Sequence, residues 1–172
     1  MSVFRIDRTS PLPADEAWRR LTDWPAHANG VPFTRISVVT PGPTRVGTRF
    51  VARSGLGPAA FDDPMEVVHW QPPAPGVPGR CRLEKRGRAV TGWAEIRVRH
   101  GAADGGGVTR VCWEEDLRVG RLPRLFDPLT ARTGRAVFGR AVDRLLRGRP
   151  GDRPEAGPDG QSAGGPAGRT DG

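Results

Sequence analysis

The spacing of apolar positions changes twice along this chain. From Val3 to Arg8 it alternates, with Phe4 and Ile6 on one side, which predicts a strand over Ser2–Ser10 closed by Pro11 and Pro13. Ala14, Ala17, Trp18 and Leu21 then recur at three- and four-residue steps, a helical face over Ala14–Asp23. Asp15 and Glu16 fall in its first turn and Arg19 and Arg20 later, where the helix dipole favours each sign. Trp24-Pro25 breaks the pattern, and Trp24–Val31 reads as a short second helix or an ordered loop. Beyond Phe33 the period returns to two. Strands are predicted over Thr34–Thr40, Val46–Arg53, Asp63–Gln71, Arg80–Arg86, Thr91–Arg99 and Val108–Val119, with Asp62-Asp63 capping a turn before Pro64. Ala102–Gly107 reads as a loop of small residues. Alternation with charged outer positions means antiparallel strands with one face in water.

The period changes again at Asp127. Aspartate suits a helix N-cap and Pro128 the first helical position, so a helix is predicted over Asp127–Arg147, about 30 Å long. Val137, Phe138, Ala141, Val142, Leu145 and Leu146 share one face with Gly134, while Arg132, Arg135, Arg140, Asp143, Arg144 and Arg147 take the other. The small residues Gly134 and Ala141 admit two readings: close approach to a sheet, or a gap left for a ligand. The whole order predicts an α+β fold. A seven-stranded antiparallel sheet must curl around the last helix to bury it, and such a sheet encloses a concave apolar space. One domain is expected over residues 1–148. The glycine- and proline-rich tail, 149–172, is expected to be disordered.

Composition narrows the partners. No segment approaches 18 consecutive apolar residues, so no membrane span is expected, and the N-terminus lacks the apolar core of a secretory signal. Cys81 and Cys112 lie far apart in strand-like runs, as small core residues of a reducing compartment do. The reading is a cytoplasmic protein. The net charge of +8 invites a nucleic-acid partner. The basic residues, all arginine except Lys85, are however scattered and often adjoin acids, and no aromatic pair is spaced as a base-stacking platform. No specific nucleic-acid partner is expected.

Candidate chemistry is sparse. His27, His69 and His100 lack metal-ligand spacing, and no phosphate-cradling, dinucleotide or nucleophile-elbow motif is present, so no metal or cofactor is expected. His69 alternates with Val67 and Met65 and points either inward or to water. Glu115 shares its strand parity with Val111, Trp113 and Leu117. Inside, it would need an arginine partner or a raised pKa; at the strand's end it would reach water and a surface arginine. Glu115 and His69 are the catalytic candidates.

The opening strand leading into Pro13–His27, the run VGTRF at Val46–Phe50, the run MEVVHWQPP at Met65–Pro73 and the closing amphipathic helix together resemble the START-like, or SRPBCC, superfamily. This is the helix-grip fold of polyketide cyclases, lipid-transfer domains and plant Bet v 1-type proteins. The resemblance covers about residues 2–148. It implies a hydrophobic ligand cavity between sheet and long helix, with Trp18, Phe50, Met65, Trp113, Gly134, Phe138 and Ala141 as its expected lining. It implies no particular chemistry, since function lies in sites grafted onto folds. The leading expectation is binding or carriage of a hydrophobic or aromatic small molecule, lipid- or polyketide-like. The alternatives are a cyclase/aromatase-type enzyme using the same cavity and an interaction module using the basic surface. The sequence sets no oligomeric state.

Overall fold

A computed structural model describes residues 2–101, 108–120 and 127–147. The expected 102–107 loop, the link through Pro123 and the glycine-rich tail lie outside the described residues. The elements follow the chain as strand β1 (Ser2–Ser10), helix α1 (Ala14–Leu21), helix α2 (Trp24–His27), strands β2 (Thr34–Val38), β3 (Arg49–Ser54), β4 (Phe61–Gln71), β5 (Gly79–Arg86), β6 (Val90–His100) and β7 (Thr109–Val119), and helix α3 (Asp127–Arg147). All seven strands join one curved antiparallel sheet in the order β1-β7-β6-β5-β4-β3-β2. The N-terminal strand thus closes the sheet beside the last one.

The helices form where the sequence supports them. In α1 the apolar side, Ala14, Ala17, Trp18 and Leu21, is fully buried. On its outer side Glu16 binds Arg19 and Arg20, and those guanidiniums hold its carboxyl down at about 2. Helix α2 starts at Trp24-Pro25, with the Asp23 side chain accepting from the Ala26 amide. Helix α3 lies mainly on β1 and α1, and touches β7 and α2 to a lesser extent. Arg8 of β1 fixes it by an ion pair to Asp143, Nε to Oδ1 2.6 Å.

Two strands begin more than one residue from where the sequence reading starts them. Val46-Gly47-Thr48 belongs to a turn: Gly47 has φ +85°, the Arg45 amide donates to Thr48 Oγ1 and the Thr48 amide to Arg45 O. Asp62 and Asp63 cap no turn. They lie inside β4, paired with Arg53 and Ala52 of β3. The strand tolerates Pro64 because its pairing with β5 begins only at Met65.

Candidate ligand site on the concave face

The inner face of the sheet carries Phe50 and Ala52 of β3, Val67 of β4, Cys81 and Leu83 of β5, Ala94, Ile96 and Val98 of β6, and Val111 and Trp113 of β7, all buried. Among these apolar side chains sit three ionisable ones. Lys85 of β5 donates to Asp63 Oδ2 of β4 at 2.9 Å, and its Nζ lies 3.1 Å from Glu115 Oε1 of β7. The other oxygen of Glu115 accepts from Trp113 Nε1 at 3.1 Å. The Lys85 and Glu115 side chains are 3% and 1% exposed. Strand geometry explains how they meet. Lys85 is paired with Gly92 on β6, and Glu115 with Ala94. The intervening strand therefore offers almost no side chain, and two long ones close over it, across about 10 Å of sheet. A lysine suits the place, since a compact ammonium with three donors can serve two carboxylates.

The energetics of this trio are demanding. Burial pulls the Lys85 ammonium toward its neutral form, but Glu115 and Asp63 together outweigh it and hold its pKa above the ordinary lysine value. One cation faces two carboxylates. Among the described residues, Asp63 Oδ1 is buried with no hydrogen-bond partner. Buried polar atoms are nearly always partnered, so this oxygen keeps acceptor capacity that the described side chains do not fill.

Beside the trio runs a chain of rings linking β3 through α2 and β7 to α3 and β1. Trp24 stacks on Phe50 at 4.7 Å and meets His27 at 5.7 Å; His27 meets Trp113 at 5.6 Å; Trp113 stacks on Phe138 at 5.9 Å, and Phe138 on Phe4 at 5.9 Å. His27 Nε2 donates to Leu21 O at 2.8 Å, and burial pushes its pKa below the ordinary histidine value.

The expected site residues divide accordingly. Phe50, Trp113 and Phe138 fall in the ring chain, Met65 lies 3.8 Å by its sulfur from Lys85 Nζ, and Glu115 is sealed within the trio. Trp18 sits apart, packed on Trp70. Gly134 lies under the Phe4 ring, which leaves no room for a Cβ, and Ala141 lies directly against Gly30. At both positions the small residue serves close approach. His69 is turned away. A bulge between Val67 and His69 shifts the β4 register, pairing His69 with Arg82 and Trp70 with buried Cys81. His69 thus shares the outer face with Arg82. That face carries its own buried acid, Glu95, which Arg80, Arg82 and Arg97 enclose. His100 is exposed.

Two members of the trio escaped the sequence reading. Lys85 alternates in step with Cys81 and Leu83, and Asp63 with Met65 and Val67. The inward parity of both was present in the pattern, and Lys85 is also the chain's single lysine. What the pattern lacked was the register that brings β4, β5 and β7 to one point.

Three solved structures share this architecture. A hypothetical protein from Helicobacter pylori matches at TM-score 0.65 and 12% identity, over 84% of this chain and 86% of its own. The crystal structure of the Zhui aromatase/cyclase from Streptomyces sp. R1128 matches at TM-score 0.53 and 14% identity, over 81% and 90%. That of Ara h 8.0201 matches at 0.50 and 14%, over 85% and 98%. The chain has the helix-grip fold. No family model and no curated protein matches the sequence. At these identities the likeness concerns the fold, and the trio must be judged on its own geometry. In this helix-grip protein the trio lies on the concave side, the side that α3 and the small helices cover. No helix among the described residues is long and apolar enough to cross a membrane.

Proposed function

We propose that this helix-grip protein binds a hydrophobic or aromatic small molecule between the concave face of its sheet and α3, with Asp63, Lys85 and Glu115 as the polar anchor. The observation that carries the reading is Asp63 Oδ1, a buried acceptor without a donor beside an apolar, ring-lined surface. Ligand sites combine such surfaces with a few convergent polar groups. Stability alone is a poor reason to keep the trio, because apolar residues of similar volume often replace buried ion pairs at no cost. The cytoplasm is the proposed location, consistent with two unpaired cysteines.

A second reading makes the same site a cyclase/aromatase-type centre, in which Glu115 takes a proton from a bound chain while Lys85, 3.1 Å away, stabilises the charge that develops. The named activity of the aromatase/cyclase neighbour supports considering it.

Native mass spectrometry of the purified protein, with extraction of whatever denaturation releases, tests the binding reading. A defined apolar molecule near one-to-one stoichiometry, weakened in Asp63→Asn, is the expected result. A protein that carries nothing and takes up no neutral apolar fluorophore would overturn it. Turnover of an extracted molecule that is lost in Glu115→Gln would select the enzymatic reading.

A further inference from the structure

We propose a second site, outside the concave interior: the groove between the β2–β3 end of the sheet and the C-terminal half of α3 binds a single-chain anionic amphiphile, its acid group on arginines and its chain on Phe33 and Leu56. The groove is open and has a volume of about 880 Å³, within the range of small-molecule sites. Arg35 of β2, Arg53 of β3 and Arg140, Arg144 and Arg147 of α3 line it, and among the described residues no carboxylate does.

Two of these arginines have an ordinary explanation. Arg144 and Arg147 stand in the last turn of α3, where cations answer the helix dipole, and Arg144 also donates to Asn29 O. The dipole does not explain Arg35 and Arg53, which reach the same groove from strands. Arg53 pairs with Asp62, 3.1 Å away, but Arg35, Arg140 and Arg147 have no carboxylate partner among the described residues. Several arginines elsewhere in this protein meet acids, as Arg8 does Asp143 and three arginines do Glu95. Unpaired guanidiniums gathered from two layers of the fold suit a carboxylate or a phosphate, whose oxygens accept from the planar fork.

The apolar half of the argument is Phe33. The residue is 68% exposed, and its backbone holds φ +54°, a conformation uncommon for a bulky residue. The Gly55 amide donates to Phe33 O at 3.0 Å and keeps the segment in place. Leu56, which lines the same groove, is 65% exposed. Neither position is demanded by the core. Together they set an apolar shelf beside the cationic wall, which is the pattern an anionic amphiphile complements.

Calorimetry with dodecanoate kept below its micelle concentration, against dodecyltrimethylammonium of equal chain length, tests the proposal. Dodecanoate should bind and the cation should not. Arg35→Gln combined with Arg140→Gln should weaken dodecanoate by about tenfold or more, while Arg99→Gln, outside the groove, should not. Phe33→Ser should weaken it as well. Equal binding of both surfactants, or an affinity unmoved by the double variant, overturns the proposal. Binding to anionic vesicles without binding of monomeric dodecanoate would also overturn it, in favour of a membrane surface. Uptake of a neutral apolar fluorophore by the arginine double variant reports the concave interior separately, so either site can fail alone.

Discussion

Glu115 Oε1 lies 3.1 Å from Lys85 Nζ although the two residues are on strands separated by β6, and the pair closes over Gly92 and Ala94. Removing either partner leaves the other buried without its counter-charge. Lys85→Met should therefore destabilise the protein by about 3–5 kcal/mol, because it leaves two carboxylates uncompensated. Glu115→Gln added to Lys85→Met should recover part of that loss. Urea unfolding of the four proteins of this cycle measures the coupling, and strictly additive losses would show that the pair is not energetically linked.

His27 gives the fold a pH dependence. Burial lowers its pKa when folded, so the unfolded chain binds the proton more readily. Stability from this group is complete above the unfolded value of about 6.5 and falls as pH drops below it, toward the lower folded value. His27→Gln can keep a donor for Leu21 O and cannot be charged. The melting temperature of the native sequence should fall between pH 7 and 5, and the fall should be smaller in His27→Gln. Parallel curves would remove His27 from the explanation.

The order of elements, the face of α1 and the extent of α3 were legible because each rests on a local period. The inward parity of Glu115 was legible for the same reason. His69 was not, because one extra residue in β4 inverts parity downstream, and no composition signal marks that bulge. The turn reading of Asp62-Asp63 followed a sound local rule. Lys85 overrides it by offering Asp63 an inward partner, and that partner becomes visible only when β4 and β5 are paired. The site is thus less legible than the fold, since it is made by register across strands.

Phe138 is half-buried and stacks on both Phe4 and Trp113, joining α3 to β1 and β7. Phe138→Ala should cost about 3 kcal/mol, the low end for aromatic truncation because the ring is not fully enclosed. For a chain of this size that corresponds to a melting temperature lower by on the order of 10 °C. A shift of one or two degrees would mean that α3 is held mainly by Arg8–Asp143 and its aliphatic side chains.

Gly30 sets how closely the segment after α2 can approach α3. A Cβ built there would fall 2.6 Å from Ala141 Cβ and 2.7 Å from Ala141 Cα, distances no packed pair of atoms sustains. Since one of the obstructing atoms is helix backbone, side-chain rotation cannot relieve the clash. Gly30→Ala must move α2 or α3, and overpacking of this kind costs about 1–3 kcal/mol. Ala141→Gly should restore only part of the loss, because the helix backbone still stands in the way. The same movement would widen the gap between the two helices, beside Trp24 and His27. Gly30→Ala should therefore lower the melting temperature while speeding exchange of any molecule held on the concave face, a combination measured by calorimetry and by the release rate of a bound neutral fluorophore. Lower stability with an unchanged release rate would place the route to the interior away from α2.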